Sequence, residues 1–217
     1  MSKKLAFAVV LSGAGMRDGS EIHESVAALL AISNAGGEYQ CFAPDINFDE
    51  VNYLTGVPTG AKRKVILEAA RIARGNIKDL KEYNPADFDV LVFPGGAGAV
   101  KNLCSFAYQG VDCEVNHDVE KAITETHKLG KPIVALCIAP VLVAKVLKGS
   151  VVTVGNDKTV GEAIVAMGGN TEDKGAGEIA VDKVNKIVTT PCYMLAQNIS
   201  EVFEGVDKAI KAAIGLI

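Results

Sequence analysis

Short apolar runs alternate along this chain with longer segments in which hydrophobic side chains return every three or four residues. Residues 5–11, 40–43, 90–93, 133–136, 151–154 and 187–189 are rich in Val, Ile, Leu and Phe and read as strands. Between them, residues 21–35, 114–129 and 194–214 carry the helical period, and the second of these stops at Gly130 with Lys131-Pro132 beyond it. Strand, helix, strand in repetition predicts βαβ units on a parallel sheet, hence a doubly wound, mostly parallel α/β fold with helices on both faces. Residues 45–88 interrupt this alternation with polar loops and one helix near 62–73, whose Val65, Ile66, Ala69 and Ile72 line one face. The segment reads as an insertion in a single domain spanning 1–217, either a solvated helix packed on the sheet or a cover over it.

Composition supports one large domain. At 217 residues, 22.7 kDa and 49% hydrophobic, the chain can bury a full core. Twenty-two basic against 26 acidic residues give a net charge of −4, and no basic run exceeds Lys62-Arg63-Lys64, which argues against nucleic-acid binding. The apolar start of the chain ends at a Gly turn, too short to span a membrane and without a small-residue cleavage site, so it reads as the first strand and no membrane association is expected. Cysteines 41, 104, 113, 137 and 192 are odd in number and lack CxxC spacing, so neither a disulfide framework nor a metal site is expected. A reducing cytoplasm or organelle matrix follows.

Chemistry concentrates at three predicted strand ends. In residues 133–141, IVALCIAPV, Cys137 falls on a tight strand-to-helix corner with Pro140 in the first helical turn. The unpaired N–H groups of such a corner favour a thiolate and can lower a cysteine pKa to roughly 3.5–7.5. The stretch LVFPGGAGAVKNL puts Gly95 and Gly96 after a strand, where consecutive glycines let backbone N–H groups approach a ligand or a developing oxyanion. The first loop carries DGSEIHE, in which Asp18 or Ser20 can cap the following helix while Glu21 and Glu24 share one face. Carboxylate, N–H donors and thiol would then meet in one crevice. Dinucleotide binding is not expected: after Gly13 and Gly15 the third glycine position is Asp18, and Asp45 lies thirty residues past Gly15 where about twenty are expected. A Walker A loop is absent as well.

DGSEIHE, CFAPD, EAARIARG, FPGGAGAVKNL, CIAPVL and VTTPCYMLAQN, in that order across nearly the whole chain, resemble the ElbB (enhancing lycopene biosynthesis) family, within the PfpI and class I glutamine amidotransferase-like superfamily. The resemblance implies a flavodoxin-like sandwich, often a homodimer, with a cysteine nucleophile at Cys137, oxyanion donors in the N–H groups of Gly96 and Ile138, and an acid touching the sulfur. Counting back from the end of the first helix favours Glu24 for that acid, and one turn of misalignment would make it Glu21. Superfamily proteases place a histidine directly after the cysteine, but here that residue is Ile138, and Ala14 stands where relatives often carry a second loop cysteine. Of the three histidines, His23 lies about 100° around the helix from Glu24 and is expected to face elsewhere.

These features favour a cofactor-free, glyoxalase-like conversion of small 2-oxoaldehydes, methylglyoxal or glyoxal, into 2-hydroxy acids through a Cys137 thiolate. An ionised Glu24 beside the sulfur would raise the thiol pKa, so the resting pair is expected to share a proton. The alternatives are an amidotransferase or hydrolase needing a partner, and a non-catalytic redox-sensing or chaperone-like protein.

Overall fold

Side chains that alternate across the strands divide the core into two layers. Phe7, Val9, Val90, Val92, Val134 and Leu136 face one layer, whereas Ala8, Val10, Leu91, Phe93, Ile133 and Ala135 face the other, and all are buried. Strands apolar on both faces need helices on both sides, which is why the sequence pattern closes into a sandwich.

The computed structural model describes residues 4–217. In chain order it runs β1 (Ala6–Val10), α1 (Ile22–Asn34), β2 (Glu38–Ala43), β3 (Asn47–Val51), β4 (Pro58–Lys64), α2 (Val65–Ile72), β5 (Ile77–Asp79) and β6 (Val90–Phe93). There follow α3 (Ala97–Lys101), α4 (Phe106–Gln109), α5 (His117–Lys128), β7 (Ile133–Leu136), α6 (Pro140–Val146), β8 (Val151–Val152), α7 (Lys158–Ala166), β9 (Asn170–Thr171), β10 (Ala180–Asp182), β11 (Ile187–Thr190) and α8 (Ile199–Ile214). The main sheet has seven strands in the order β10-β11-β7-β6-β1-β2-β5, parallel throughout except for the edge strand β10. Strand order reverses between β1 and β6, so a crevice opens at the carboxyl ends of those strands. Helices α1, α2 and α8 cover one face, and α5 and α6 the other.

Several boundaries differ from the sequence reading, each for a local reason. Residues 45–88 divide into an antiparallel hairpin, β3–β4, and a unit α2–β5 that rejoins the sheet as its edge. The helix expected from residue 62 begins at Val65, because Lys62, Arg63 and Lys64 pair across the hairpin with Asp49, Phe48 and Asn47. The strand expected at 151–154 shortens to Val151–Val152 and pairs with β9 outside the main sheet. The last helix begins at Ile199 rather than 194, where the Asn198 side chain accepts the Glu201 N–H at 3.0 Å.

The hairpin is fastened to the loop after β1. Asp18 accepts the Val51 N–H and the Tyr53 hydroxyl, each at 2.9 Å, and the Tyr53 oxygen accepts the Arg17 N–H at 2.9 Å. Asn102 closes the other side, donating to the carbonyls of Ser12 and Asp18 at 2.8 Å. Of the two expected caps of α1, Asp18 instead clamps two loops and Ser20 bonds Ser12, and Gly15 (φ 119°) lies where a Cβ would collide with the Tyr53 hydroxyl. Asp18→Ala leaves the part-buried Val51 N–H and the Tyr53 hydroxyl without their acceptor. It is expected to lower stability by about 1–3 kcal/mol in urea denaturation, and an unchanged midpoint would mean that the clamp contributes nothing.

Candidate active site

Pro140 fixes the start of α6, and the chain must therefore turn sharply between Leu136 and Pro140. The turn is made at Cys137, which adopts φ 59°, a left-handed conformation that costs a side-chain-bearing residue about 1–2 kcal/mol. Its N–H still donates to the Thr190 carbonyl at 2.9 Å, continuing the β7–β11 ladder to the corner. The side chain stands above the sheet, with the N–H groups of Gly96 and Ile138 directed at the sulfur.

Glu24 comes from the opposite side. Glu21 caps α1, its carboxylate accepting the Glu24 N–H at 2.7 Å and its own N–H donating to the Gly95 carbonyl at 2.9 Å. With the helix so anchored, the Glu24 side chain points inward and is fully buried. One carboxyl oxygen accepts the Gly95 N–H at 3.0 Å, the other accepts the Tyr193 N–H at 3.3 Å, and the carboxyl also hydrogen-bonds the Cys137 thiol. The ambiguity between the two glutamates is thereby resolved in position: Glu24 reaches the sulfur and Glu21 is the cap. Gly95 does not face an oxyanion as the sequence suggested, because its N–H is committed to Glu24, and a Cβ there would collide with Cys137 and Glu24. Gly96 (φ 92°) and Ile138 keep their N–H groups at the sulfur.

Burial and mutual repulsion set the protonation of this pair. Burial, then the nearby charge of Glu21, pushes the Glu24 carboxyl up to about 7, although the Cys137, Tyr193 and Gly95 donors oppose the rise. Burial, then the charge of Glu24 and the hydrogen bond to it, pushes the Cys137 thiol well above its usual range, against the N–H groups of Gly96 and Ile138. The thiolate-favouring effect expected of the corner is thus outweighed. At neutral pH the thiol keeps its proton, and beside it the Glu24 carboxyl is part protonated and part ionised.

The site opens into a cavity of about 560 Å³ walled by Met16, Val100, Ile138 and Met194. Besides Cys137, its polar side chains are Glu21, His23 and Tyr193. His23, expected to face elsewhere, is exposed and lines both this cavity and a neighbouring groove with Val26, Leu30 and Phe203, and its imidazole Nδ1 is 2.7 Å from the Tyr193 hydroxyl. Tyr193 was not singled out from the sequence, although Pro191-Cys192 after a strand marks a fourth strand end. There Cys192 (φ 45°) bends the chain into a 3-10 turn over Cys192–Met194 that delivers the Tyr193 N–H to Glu24. Among the described residues no group of three His, Cys, Asp or Glu side chains is placed to hold a metal ion.

No protein-family model matches the chain. It is 44% identical over 220 residues to the human mitochondrial glutamine amidotransferase-like class 1 domain-containing protein 3, covering 96% of this chain and 82% of the relative. It is 43% identical to the mitochondrial ES1 protein homolog of Rattus norvegicus, covering 96% and 83%. A crystal structure of an isoprenoid biosynthesis protein with an amidotransferase-like domain from Ehrlichia chaffeensis superposes with a TM-score of 0.92 at 33% identity, over 98% of this chain and 99% of that one. The chain belongs to the ElbB family. A ThiJ/PfpI domain protein from Brachyspira murdochii, at 12% identity and a TM-score of 0.58, shares the fold. Within the ElbB chain described here no helix among the described residues is long and apolar enough to cross a membrane.

The raised Glu24 carboxyl makes stability depend on pH. The folded protein keeps a proton that the unfolded chain releases, so stability falls as pH rises from about 4.5 to about 7 and stays lower above. Glu24→Gln cannot ionise, and its fall across that window is expected to be smaller by up to about 3 kcal/mol in urea titrations at stepped pH. Equal falls in the two proteins would place the ionisation elsewhere.

Proposed function

We propose that the protein is a cofactor-free glyoxalase-type enzyme that converts a small 2-oxoaldehyde into a 2-hydroxy acid. The observation that carries this reading is a fully buried Glu24 carboxyl, raised to about 7, against the Cys137 thiol, with the N–H groups of Gly96 and Ile138 at the sulfur. A carboxyl titrating near 7 both accepts and returns a proton at physiological pH, which is what moving hydrogen between adjacent carbons requires.

The steps balance without an external oxidant. Cys137 gives its proton to the Glu24 carboxylate as sulfur bonds to the aldehyde carbon, and the resulting alkoxide lies against the Gly96 and Ile138 N–H groups before Glu24 returns the proton to it. Glu24 then removes the hydrogen of that carbon as a proton and delivers it to the neighbouring carbonyl carbon, while the hydroxyl proton on the first carbon passes to the second oxygen, which ends as a hydroxyl. The first carbon has been oxidised to a thioester and the second reduced to an alcohol. Water cleaves the carbon–sulfur bond, its hydroxyl going to the acyl carbon and its proton to sulfur. Free thiols at all five cysteines and the mitochondrial names of the relatives support a reducing compartment.

The relatives' amidotransferase-like name suggests amide chemistry as the alternative. Release of an amine needs a general acid at the leaving nitrogen, yet Ile138 rather than a histidine follows the cysteine, and His23 is not among the groups that bear on the Cys137 thiol. Glutamine hydrolysis by the purified protein is therefore expected to be negligible, and robust ammonia release would overturn the glyoxalase reading.

Turnover of methylglyoxal tests it directly. Cys137→Ala and Glu24→Gln are each expected to abolish activity, with the double variant scarcely worse than either, because groups acting in one proton-transfer sequence are not additive. Activity should climb as pH passes about 7, where Glu24 becomes able to accept the thiol proton. Turnover surviving in Cys137→Ala removes the covalent mechanism.

A further inference from the structure

The proposed reaction leaves one substrate atom without a partner. Gly96 and Ile138 provide N–H groups for the oxygen on the carbon that sulfur attacks, but the second carbonyl oxygen must also be held while negative charge passes through it during hydrogen transfer. Resting on the glyoxalase reading, we infer that the His23–Tyr193 pair binds this second oxygen and fixes which carbonyl faces Cys137.

The cavity narrows the choice by elimination. Met16, Val100, Ile138 and Met194 offer no N–H or O–H from their side chains, and Glu21, already holding the Glu24 N–H, is an acceptor that would repel a carbonyl oxygen. His23 and Tyr193 remain as side-chain donors facing the same cavity as Cys137. They form a defined unit: the hydroxyl and Nδ1 are 2.7 Å apart and the rings are tilted by 47° with centroids 5.8 Å apart. Burial, followed by the charges of Glu21 and Glu24, raises the Tyr193 phenol, which keeps its proton. Donation from that hydroxyl to Nδ1 leaves hydrogen on Nε2, the tautomer that can donate to a carbonyl. Tyr193 also carries the N–H that holds Glu24, so one residue joins the polar pair to the reacting carboxyl.

The test separates binding of the second oxygen from the state of the thiol. Propanal, which has one carbonyl, and methylglyoxal, which has two, both add reversibly to a thiol and shield it from alkylation by iodoacetamide. In His23→Leu and Tyr193→Phe the methylglyoxal concentration that half-protects Cys137 is expected to rise about tenfold, as loss of one hydrogen bond implies, while that of propanal stays put. His23→Gln, which keeps a donor, should recover part of the loss, and kcat for methylglyoxal should drop about 100-fold in the Leu and Phe variants. Since the Tyr193 backbone N–H survives in Tyr193→Phe, a shift for both aldehydes would mean that the ring merely props Glu24, and this overturns the inference. Unchanged methylglyoxal protection in both variants overturns it too. Wild-type protein that methylglyoxal protects but does not convert would refute the glyoxalase reading while still deciding the role of the pair through protection alone.

Discussion

A single carboxyl group, that of Glu24, ties together the ends of three neighbouring strands. It takes one N–H from Gly95 after β6, another from Tyr193 after β11, and bonds the thiol of Cys137 after β7. A buried carboxylate left without these donors would cost several kcal/mol, so the loops after β6 and β11 are held to the positions in which their N–H groups reach it. The demand spreads outward. Gly95 must lack a side chain because the carboxyl and the cysteine already fill its surroundings, and α1 is held at its start by Glu21, which caps the helix through the Glu24 N–H.

Strain and hydrogen bonding are balanced on both sides of that carboxyl. Cys137 and Cys192 sit at the ends of adjacent parallel strands, and each takes a left-handed conformation, at φ 59° and 45°. Such conformations cost about 1–2 kcal/mol each and persist only where the surroundings determine them. Here the Cys137 N–H stays in the ladder at 2.9 Å from the Thr190 carbonyl, and the Cys192 carbonyl accepts from Leu195 and Ala196 at 3.0 and 2.7 Å. The first bend lifts a sulfur out of the sheet. The second turns a backbone N–H back toward Glu24, and the fold thereby converts two unfavourable corners into one arranged pair.

What the sequence disclosed follows the same physics. Strands that are apolar on both faces, such as Val90–Phe93 and Ile133–Leu136, were readable because burial on two sides leaves no polar positions. The thiol corner was readable because cysteine, a helix-opening proline and an apolar run occur within nine residues. The hairpin β3–β4 was not, since every residue of Pro58–Lys64 is exposed and no alternation is demanded of a strand with two wet faces. Strands as short as Val151–Val152 and Ala180–Asp182 carry too few side chains for a period. Within the site, the family resemblance pointed to Cys137, Glu24, Gly96 and Ile138, which the fold brings together, whereas the commitment of Gly95 to Glu24 and the turning of His23 toward Tyr193 depend on contacts about 70 and 170 positions apart in the chain, which local pattern does not encode.

The same electrostatics weigh on whether Cys137 is a sensor of oxidants or a catalyst. Peroxide attacks thiolates, and redox-sensing cysteines are correspondingly low in pKa and open to solvent. Cys137 is the reverse on both counts, with a thiol raised by burial and by Glu24 and a side chain that keeps only 8% of its surface exposed. In the proposed reaction its thiolate forms when Glu24 takes the proton, and a substrate bound in the cavity draws on that exchange because the carboxyl returns the proton within the same encounter. The proposed carbonyl chemistry uses that exchange twice, in forming the thiolate and in protonating the alkoxide, and it depends on the burial of Glu24 rather than on any feature of the cysteine alone.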